Sequence, residues 1–369
     1  EDYPLNVVRV EDDAAVRLEI TRQGFTPDSV PPQGKGVLIQ RNGNVAFDVT
    51  DLVHPSVAAT ASLAARIVGL DIAGIDLVVE DISRPLDEQR GAIVEINAGP
   101  GLLMHLKPAS GEPRPIGSAI VDSLFPANEY GRFPVVGVTG THGINVVARL
   151  VARLLHLSGR HVGLACSDGL YLDQRLVEKG DHATWGAAHK VLINRAVDAA
   201  VFESGSHTIL SEGLAYDRCQ VAVVTNLDPA AQLREFYIET AEQMFNVLRT
   251  PVDVVLPDGA AVLNANDPLV VQMASLCDGD VIFFGSDEKV PTIVEHRAQG
   301  KRAIFVRDGS VMLATGQGEV VLAEMASILL VNAGQDAAQV ENVLAAVGAA
   351  WALGISHDLI RAGIQTFEL

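Results

Sequence analysis

The hydrophobic pattern of the chain changes period at one place, and the rest is arranged around it. Pro134 to Val138 is a short apolar run, the pattern of a buried strand. From Val147 the apolar positions recur at helical spacing: Val147, Leu150, Val151, Leu154 and Leu155 share one face, and Arg149 and Arg153 lie on another. Between strand and helix stands Thr139-Gly140-Thr141-His142-Gly143. A strand, a glycine-rich turn and a helix N-terminus make a phosphate cradle, because backbone N–H groups and the helix dipole both point at an anion. A working loop of this kind continues with Gly-Lys-Ser/Thr, the lysine neutralising terminal phosphates and the hydroxyl binding Mg²⁺. Here Ile144 and Asn145 hold those places, and isoleucine carries no charge. The pattern predicts the shape of a nucleotide site without its chemistry, with no cofactor bound by Thr139, Gly140, Thr141, His142, Gly143, Ile144 or Asn145.

Beyond this point strands and helices alternate, as in a doubly wound sheet. Val197 to Phe202 reads as a strand ending at Glu203, Val221 to Thr225 as another ahead of Asn226-Leu227-Asp228-Pro229, and residues 336–354 as helix. Before it, residues 5–20 supply strand and helix, residues 27–36 a loop, Val37 to Gln40 a short apolar strand, and Arg41 to Asn44 a turn. A helix opens at His54-Pro55-Ser56 with Ser56 as its N-cap and runs to about Val68, with Ala59, Leu63 and Ile67 on its apolar side. Ile72 to Val79 reads as a strand carrying Asp76, and residues 92–105 as a second strand and turn. In that second strand Glu95 and Asn97 are two apart and so point to the same face. With Asp76 beside them they form an all-oxygen cluster of the kind Mg²⁺ takes. The Gly99-Pro100-Gly101 turn that follows favours a metal site over solvated edge residues. Residues 107–134, rich in Pro, Gly and Ser around a short helix at 120–124, read as a linker.

With 369 residues the chain has room for two or three domains, and 48% apolar residues with 33 glycines spread along it fit a soluble α/β protein. A net charge of −19 argues against nucleic acid as a partner, which needs a basic footprint. Cys166, Cys219 and Cys277 are widely spaced without a Cys-x-x-Cys, which points to a reducing, cytoplasmic compartment and no structural zinc. No apolar run is long enough to span a membrane. Both ends, Glu1-Asp2-Tyr3-Pro4 and Thr366-Phe367-Glu368-Leu369, have the character of mid-protein sequence, so a partial chain is expected.

The segments around the oxygen donors resemble a known family. Asp76 within Gly-Ile-Asp-Leu, followed by Glu95-Ile-Asn-Ala-Gly-Pro-Gly101, is similar to the C-terminal part of an ATP-grasp ligase. The longer strings GLDIAGIDLVVEDISRPL and GAIVEINAGPGLLMH, with GFTPDSVPPQGKG before them, resemble the cyanophycin synthetase family, which joins an ATP-grasp ligase to a Mur-ligase-like domain. The resemblance implies an α/β and α+β multidomain protein: the C-terminal portion of an ATP-grasp domain in residues 1–108, a linker in 109–133, and a Mur-ligase-like doubly wound parallel sheet with P-loop topology in 134–369. It implies that Asp76, Glu95 and Asn97 hold the Mg²⁺ that bridges ATP phosphates. The family's second nucleotide loop normally reads Gly-Thr-Asn/His-Gly-Lys-Thr, and this chain departs at Ile144 and Asn145. Glu203 matches a glutamate that helps bind Mg²⁺ in active Mur-type ligases. The Asp-His pair that follows Thr-Asn there is replaced by Asp228-Pro229.

With one site intact, the resemblance points to the family's second type, which polymerises β-aspartyl-arginine dipeptides at the ATP-grasp site alone. Its cofactors are ATP and Mg²⁺, its partners the cyanophycin chain and the dipeptide, and a homo-oligomer is expected. Three alternatives stay open: an ordinary synthetase joining free aspartate and arginine, a non-catalytic polymer-binding scaffold, and another ATP-grasp amide ligase.

Overall fold

A computed structural model describes residue 10 and residues 13–39, 46–125 and 131–368, and the chain divides into two compact units, Glu1–Gly131 and Arg132–Leu369. In the first unit two strands, β1 (Gly74–Val78) and β2 (Ala92–Asn97), pair antiparallel. Asp76 lies opposite Glu95, and the register shifts between Asp76 and Leu77. A bulge at this point re-aims side chains, as bulges beside functional positions commonly do.

The helix before β1 spans Pro55–Val68, and its N-cap is His54 rather than Ser56. Proline sits at the first helical position because it lacks the N–H that would go unpaired there, and the His54 ring accepts the Ser56 N–H at 3.2 Å. Gly69, at φ 84°, ends the helix in the left-handed conformation. The expected apolar stripe is not the buried one: Leu63 and Ile67 are exposed, and Val57 is the buried residue. Residues 37–39 form no strand, and Gln40 and the expected turn at 41–44 lie outside the described residues. A helix spans Ile116–Leu124. Residues 109–114 return to residues 46–51, where Arg114 donates through Nε and a terminal nitrogen to Asp48 (2.8 and 2.6 Å) and also reaches Asp51 (2.7 Å). That guanidinium holds the Asp48 carboxyl far below the usual carboxylate range.

The second unit is an eleven-stranded sheet. Its strands are β3 (Val135–Thr139), β4 (Val162–Cys166), β5 (Gly169–Leu172), β6 (Arg175–Lys179), β7 (Ala199–Glu203), β8 (Cys219–Val224), β9 (Val255–Asn264), β10 (Asp280–Gly285), β11 (Arg302–Arg307), β12 (Ser310–Thr315) and β13 (Gly318–Glu324). The spatial order is β13-β12-β11-β10-β9-β8-β3-β7-β4-β5-β6. From β11 through β4 every pairing is parallel; β12 with β13 at one end and β5 with β6 at the other are antiparallel. The doubly wound parallel sheet expected from the sequence is therefore the centre of a mixed sheet, because antiparallel hairpins need only tight turns and extend both edges.

Both faces are covered, so the central strands are apolar throughout rather than alternating. Val136, Val138, Val201, Val221 and Val223 join one core with the helices Ile144–Leu157, Ala337–Ala352 and His357–Gln365. Val135, Ala200, Phe202, Ala222 and Val224 join the other with the helices Trp185–Leu192, Ala241–Leu248, Pro268–Gln272 and Pro291–Ala298. Helix Ile144–Leu157 buries the predicted set Val147, Leu150, Val151, Leu154 and Leu155, with Ala148 and Ala152. The three cysteines are free, and burial pushes the Cys219 thiol up to about 12.

Candidate functional site

Strand order reverses at β3, which lies between β7 and β8, and the carboxyl ends of these three strands form the crevice where α/β sheets bind ligands. The glycine loop sits there. Thr139, fully buried, donates its hydroxyl to the Ser204 carbonyl at 2.7 Å. Gly140 has φ 147° and Gly143 φ 78°. A Cβ on Gly140 would lie 2.1 Å from the Thr225 hydroxyl, and one on Gly143 2.2 Å from Asn342 Oδ1. Both glycines are required by backbone conformation and by close approach.

One side chain then closes the cradle. Asn226 Oδ1 accepts the N–H of Thr141 (3.1 Å), the N–H of His142 (3.0 Å) and the Thr141 hydroxyl (2.7 Å). Its Nδ2 donates to the His142 carbonyl at 3.0 Å, and the Thr225 hydroxyl donates to the same oxygen at 2.8 Å. Two of the loop amides, those of Thr141 and His142, are thus paired with one amide oxygen. Ile144, in the lysine position, packs against the core. Asn145, in the hydroxyl position, donates Nδ2 to Ser167 Oγ (2.9 Å) and to Glu203 Oε2 (3.1 Å). Glu203 is buried and also accepts the Ser167 N–H at 2.7 Å and the Ser167 hydroxyl at 3.0 Å. Both oxygens of this carboxylate thus accept hydrogen bonds from Asn145 and Ser167.

The remaining residues of this end are likewise engaged within the protein. The Asp228 N–H donates to the Thr141 hydroxyl at 3.0 Å, and Asp228 Oδ1 accepts the Ala230 N–H at 2.8 Å, closing the turn through Pro229. Asn264, buried, donates to the Thr225 carbonyl (2.8 Å) and to Glu341 (3.2 Å), and Asn266 donates to the other Glu341 oxygen (3.1 Å). His142 is exposed, and His207 stands edge-on to Phe236 with ring centroids 5.2 Å apart. Sequence reasoning missed Asn226, Ser167 and Glu341 as partners of this network. The signal available was position: Asn226 follows directly on the carboxyl end of a strand.

Two measurements check this description. Asn226→Ala leaves loop donors unpaired and is expected to cost about 1–3 kcal/mol, the penalty for unsatisfied polar groups. A lowered denaturant midpoint at constant slope would show it; an unchanged midpoint would contradict the clamp. Addition of Mg·ATP is expected to leave hydrogen exchange at Thr141 and His142 unchanged, whereas clear protection there would mean the loop binds nucleotide. Ile144→Lys alone should not create binding, since Asn145 still supplies no hydroxyl and Asn226 still holds the Thr141 and His142 amides.

In the first unit, the strand pairing gathers the three predicted oxygen donors. Asp76 faces Glu95 across the two strands, and Asn97 lies two residues further along β2 with its Nδ2 3.4 Å from Asp76 Oδ2. Asp76 and Glu95 are exposed and Asn97 is half-buried. Opposite Asn97 is Gly74, where a Cβ would lie 2.9 Å from Pro100, so the Gly-Pro-Gly turn folds closely over this end of the pair. Two carboxylates directly opposite on a strand pair repel each other, and a cation between them removes that cost. Two carboxylates and an amide oxygen fit Mg²⁺. Among the described residues no group of three His, Cys, Asp or Glu is arranged to hold a metal ion, and in this trio it is the Asn97 amide nitrogen that faces Asp76.

A strand, glycine loop and helix at the switch point of a parallel sheet define an α/β domain of P-loop architecture. More particularly, the chain belongs to the Mur ligase middle domain family, whose pattern matches residues 138–350. It is 37% identical over 354 residues to a cyanophycin synthetase of Geminocystis herdmanii, covering 95% of this chain and 40% of that protein. It is 38% identical over 351 residues to the cyanophycin synthetase of a Synechocystis species, covering 94% and 40%. The chain thus spans about 40% of the length of these curated relatives. Among solved structures it is similar to UDP-N-acetylmuramoyl-L-alanyl-D-glutamate–2,6-diaminopimelate ligase, at 19% identity and a TM-score of 0.49, over 64% of this chain and 46% of that one.

Proposed function

We propose that this chain is part of an ATP-dependent ligase that extends cyanophycin by polymerising β-aspartyl-arginine dipeptides at an ATP-grasp site in its first unit, with the Mur-like site inactive. The observation that carries the proposal is the placement of Asp76, Glu95 and Asn97 on one face of β1 and β2, in a chain similar to cyanophycin synthetases over 95% of its length. The C-terminal carboxylate of the growing polymer attacks the terminal phosphoryl group of ATP, forming an acyl phosphate as the bond to the β-phosphate breaks and ADP leaves. The amine of the incoming dipeptide then attacks the acyl carbon, the amide forms and inorganic phosphate leaves. Mg²⁺ would supply positive charge at the transferring phosphoryl group, where such charge counts most. Asp76, Glu95 and Asn97 would hold it, and the exposure of the two carboxylates leaves that face open to phosphate oxygens.

The proposal includes a cytoplasmic homo-oligomer. Among the described residues no helix is long and apolar enough to cross a membrane. A metal titration tests the central claim without an activity assay. Mn²⁺, a paramagnetic stand-in for Mg²⁺, is expected to broaden the backbone signals of residues 74–78 and 92–97 first. Selective broadening elsewhere, or none at millimolar Mn²⁺, would remove the metal site.

A further inference from the structure

The second unit holds a cleft that neither the loop nor the metal trio uses. It has a volume of about 300 Å³ and lies between the C-terminal half of helix Ile144–Leu157, the β4–β5 hairpin and residues 366–368. Arg153 lines it, nine residues beyond Ile144 and so about 14 Å along the helix from the glycine loop. The floor and walls are Leu164, Tyr171 and Phe367; Asp173 and Glu368 line it as well.

The charges in this cleft are unevenly satisfied. Arg149 pairs with Asp168 at 3.0 Å. Asp173 sits between two histidines, His161 at 3.3 Å and His156 at 3.7 Å, and accepts the Val162 N–H at 3.0 Å. The longer of those distances is no hydrogen bond, and His156 Nδ1 is shut from solvent without a partner. Arg153 is half-buried, and among the described residues it has neither an ion pair nor a hydrogen bond. In a chain with 46 acidic and 27 basic side chains, a partly buried guanidinium that no carboxylate pairs is an open anion receptor.

We propose that this cleft binds a small zwitterion, an amino acid or short peptide, whose carboxylate pairs with Arg153 and whose ammonium group faces Asp173 and Glu368. The two carboxylates of the cleft decide against a phosphate: a dianion beside Arg153 would meet them as like charges, whereas a zwitterion carries both signs. Tyr171 and Phe367 cover the ligand's carbon skeleton, the usual division between apolar walls and a few polar anchors. The site is separate from the metal trio and does not rest on the function proposed for the first unit.

Calorimetric titration of the full chain tests it, with free aspartate, free arginine, β-aspartyl-arginine and inorganic phosphate as probes. At least one zwitterion is expected to bind saturably, phosphate not to compete, and Arg153→Gln to weaken binding about tenfold or more, the loss of one charge-assisted hydrogen-bonded pair. Arg153→Lys should keep part of the affinity, and Glu95→Gln all of it. The proposal fails if no zwitterion binds at millimolar concentration, if phosphate binds as well as the zwitterions, or if Arg153→Gln with an unchanged melting temperature binds normally. Loss of binding in Glu95→Gln would instead assign the observed heat to the first unit and likewise overturn the cleft.

Discussion

Glu95→Gln is expected to lower ligation by the full-length protein about a hundredfold or more at saturating Mg²⁺, since a metal at a transferring phosphoryl group supplies several kcal/mol. Gln keeps the shape of the side chain and its place on β2, so the fold should be unaffected. The change removes one negative oxygen donor and, with it, the like-charge opposition to Asp76. Stability without metal should therefore stay the same or rise slightly, while metal affinity falls. That opposite movement separates a ligand from a structural residue. Asn97→Ala should act in the same direction through loss of the amide oxygen. Initial rates of phosphate release, with Mg²⁺ affinity measured in parallel, decide it. Near-wild-type turnover in Glu95→Gln would remove Asp76, Glu95 and Asn97 from the mechanism.

How much of this was legible depended on how local the determining contact is. Strand β3 and helix Ile144–Leu157 were readable because their burial follows from their own periodicity: all five predicted helix residues are buried. That Glu95 and Asn97 share a face follows from the strand period of two. The direct opposition of Asp76 to Glu95 depends on the irregular register after Asp76, which a strand pattern does not announce. Helix Pro55–Val68 was harder, because it is rich in alanine and apolar on more than one side. Tertiary contact selects the side of Val57 and leaves Leu63 and Ile67 exposed. The antiparallel edges of the large sheet were also invisible, since the partners of β5, β6, β12 and β13 are decided by the turns between them rather than by the pattern within each strand.

The glycine loop shows the same division. Missing charge at Ile144 is a local fact, and it was readable. The Asn226 clamp joins residues about eighty-five positions apart, and only the parallel pairing of β3 with β8 brings them together. Asn145 was legible as a lost hydroxyl but not as a new donor. Its amide donates to Glu203, which also accepts from Ser167.

The loop bears directly on the substrate. If only the first unit carries out chemistry, each cycle makes one kind of bond. A polymer with an aspartate backbone and arginine side groups contains two kinds, a backbone peptide bond and a side-chain amide, so one of them must arrive already formed. We therefore expect the full-length protein to make polymer from β-aspartyl-arginine, ATP, Mg²⁺ and a cyanophycin primer, and none from free aspartate with free arginine. The dipeptide's backbone amine attacks the activated C-terminus, and its arginine is carried along unreacted. The guanidinium groups of the product also suit a chain of net charge −19. The two substrate sets are compared by insoluble polymer and by released phosphate. Because Ile144 supplies no charge at the lysine position, we expect no ligation at the second unit, so the difference should be all-or-none rather than graded. Robust polymer from the free amino acids, in a preparation free of other synthetases, would mean that the loop opens and that Ile144 does not disable it.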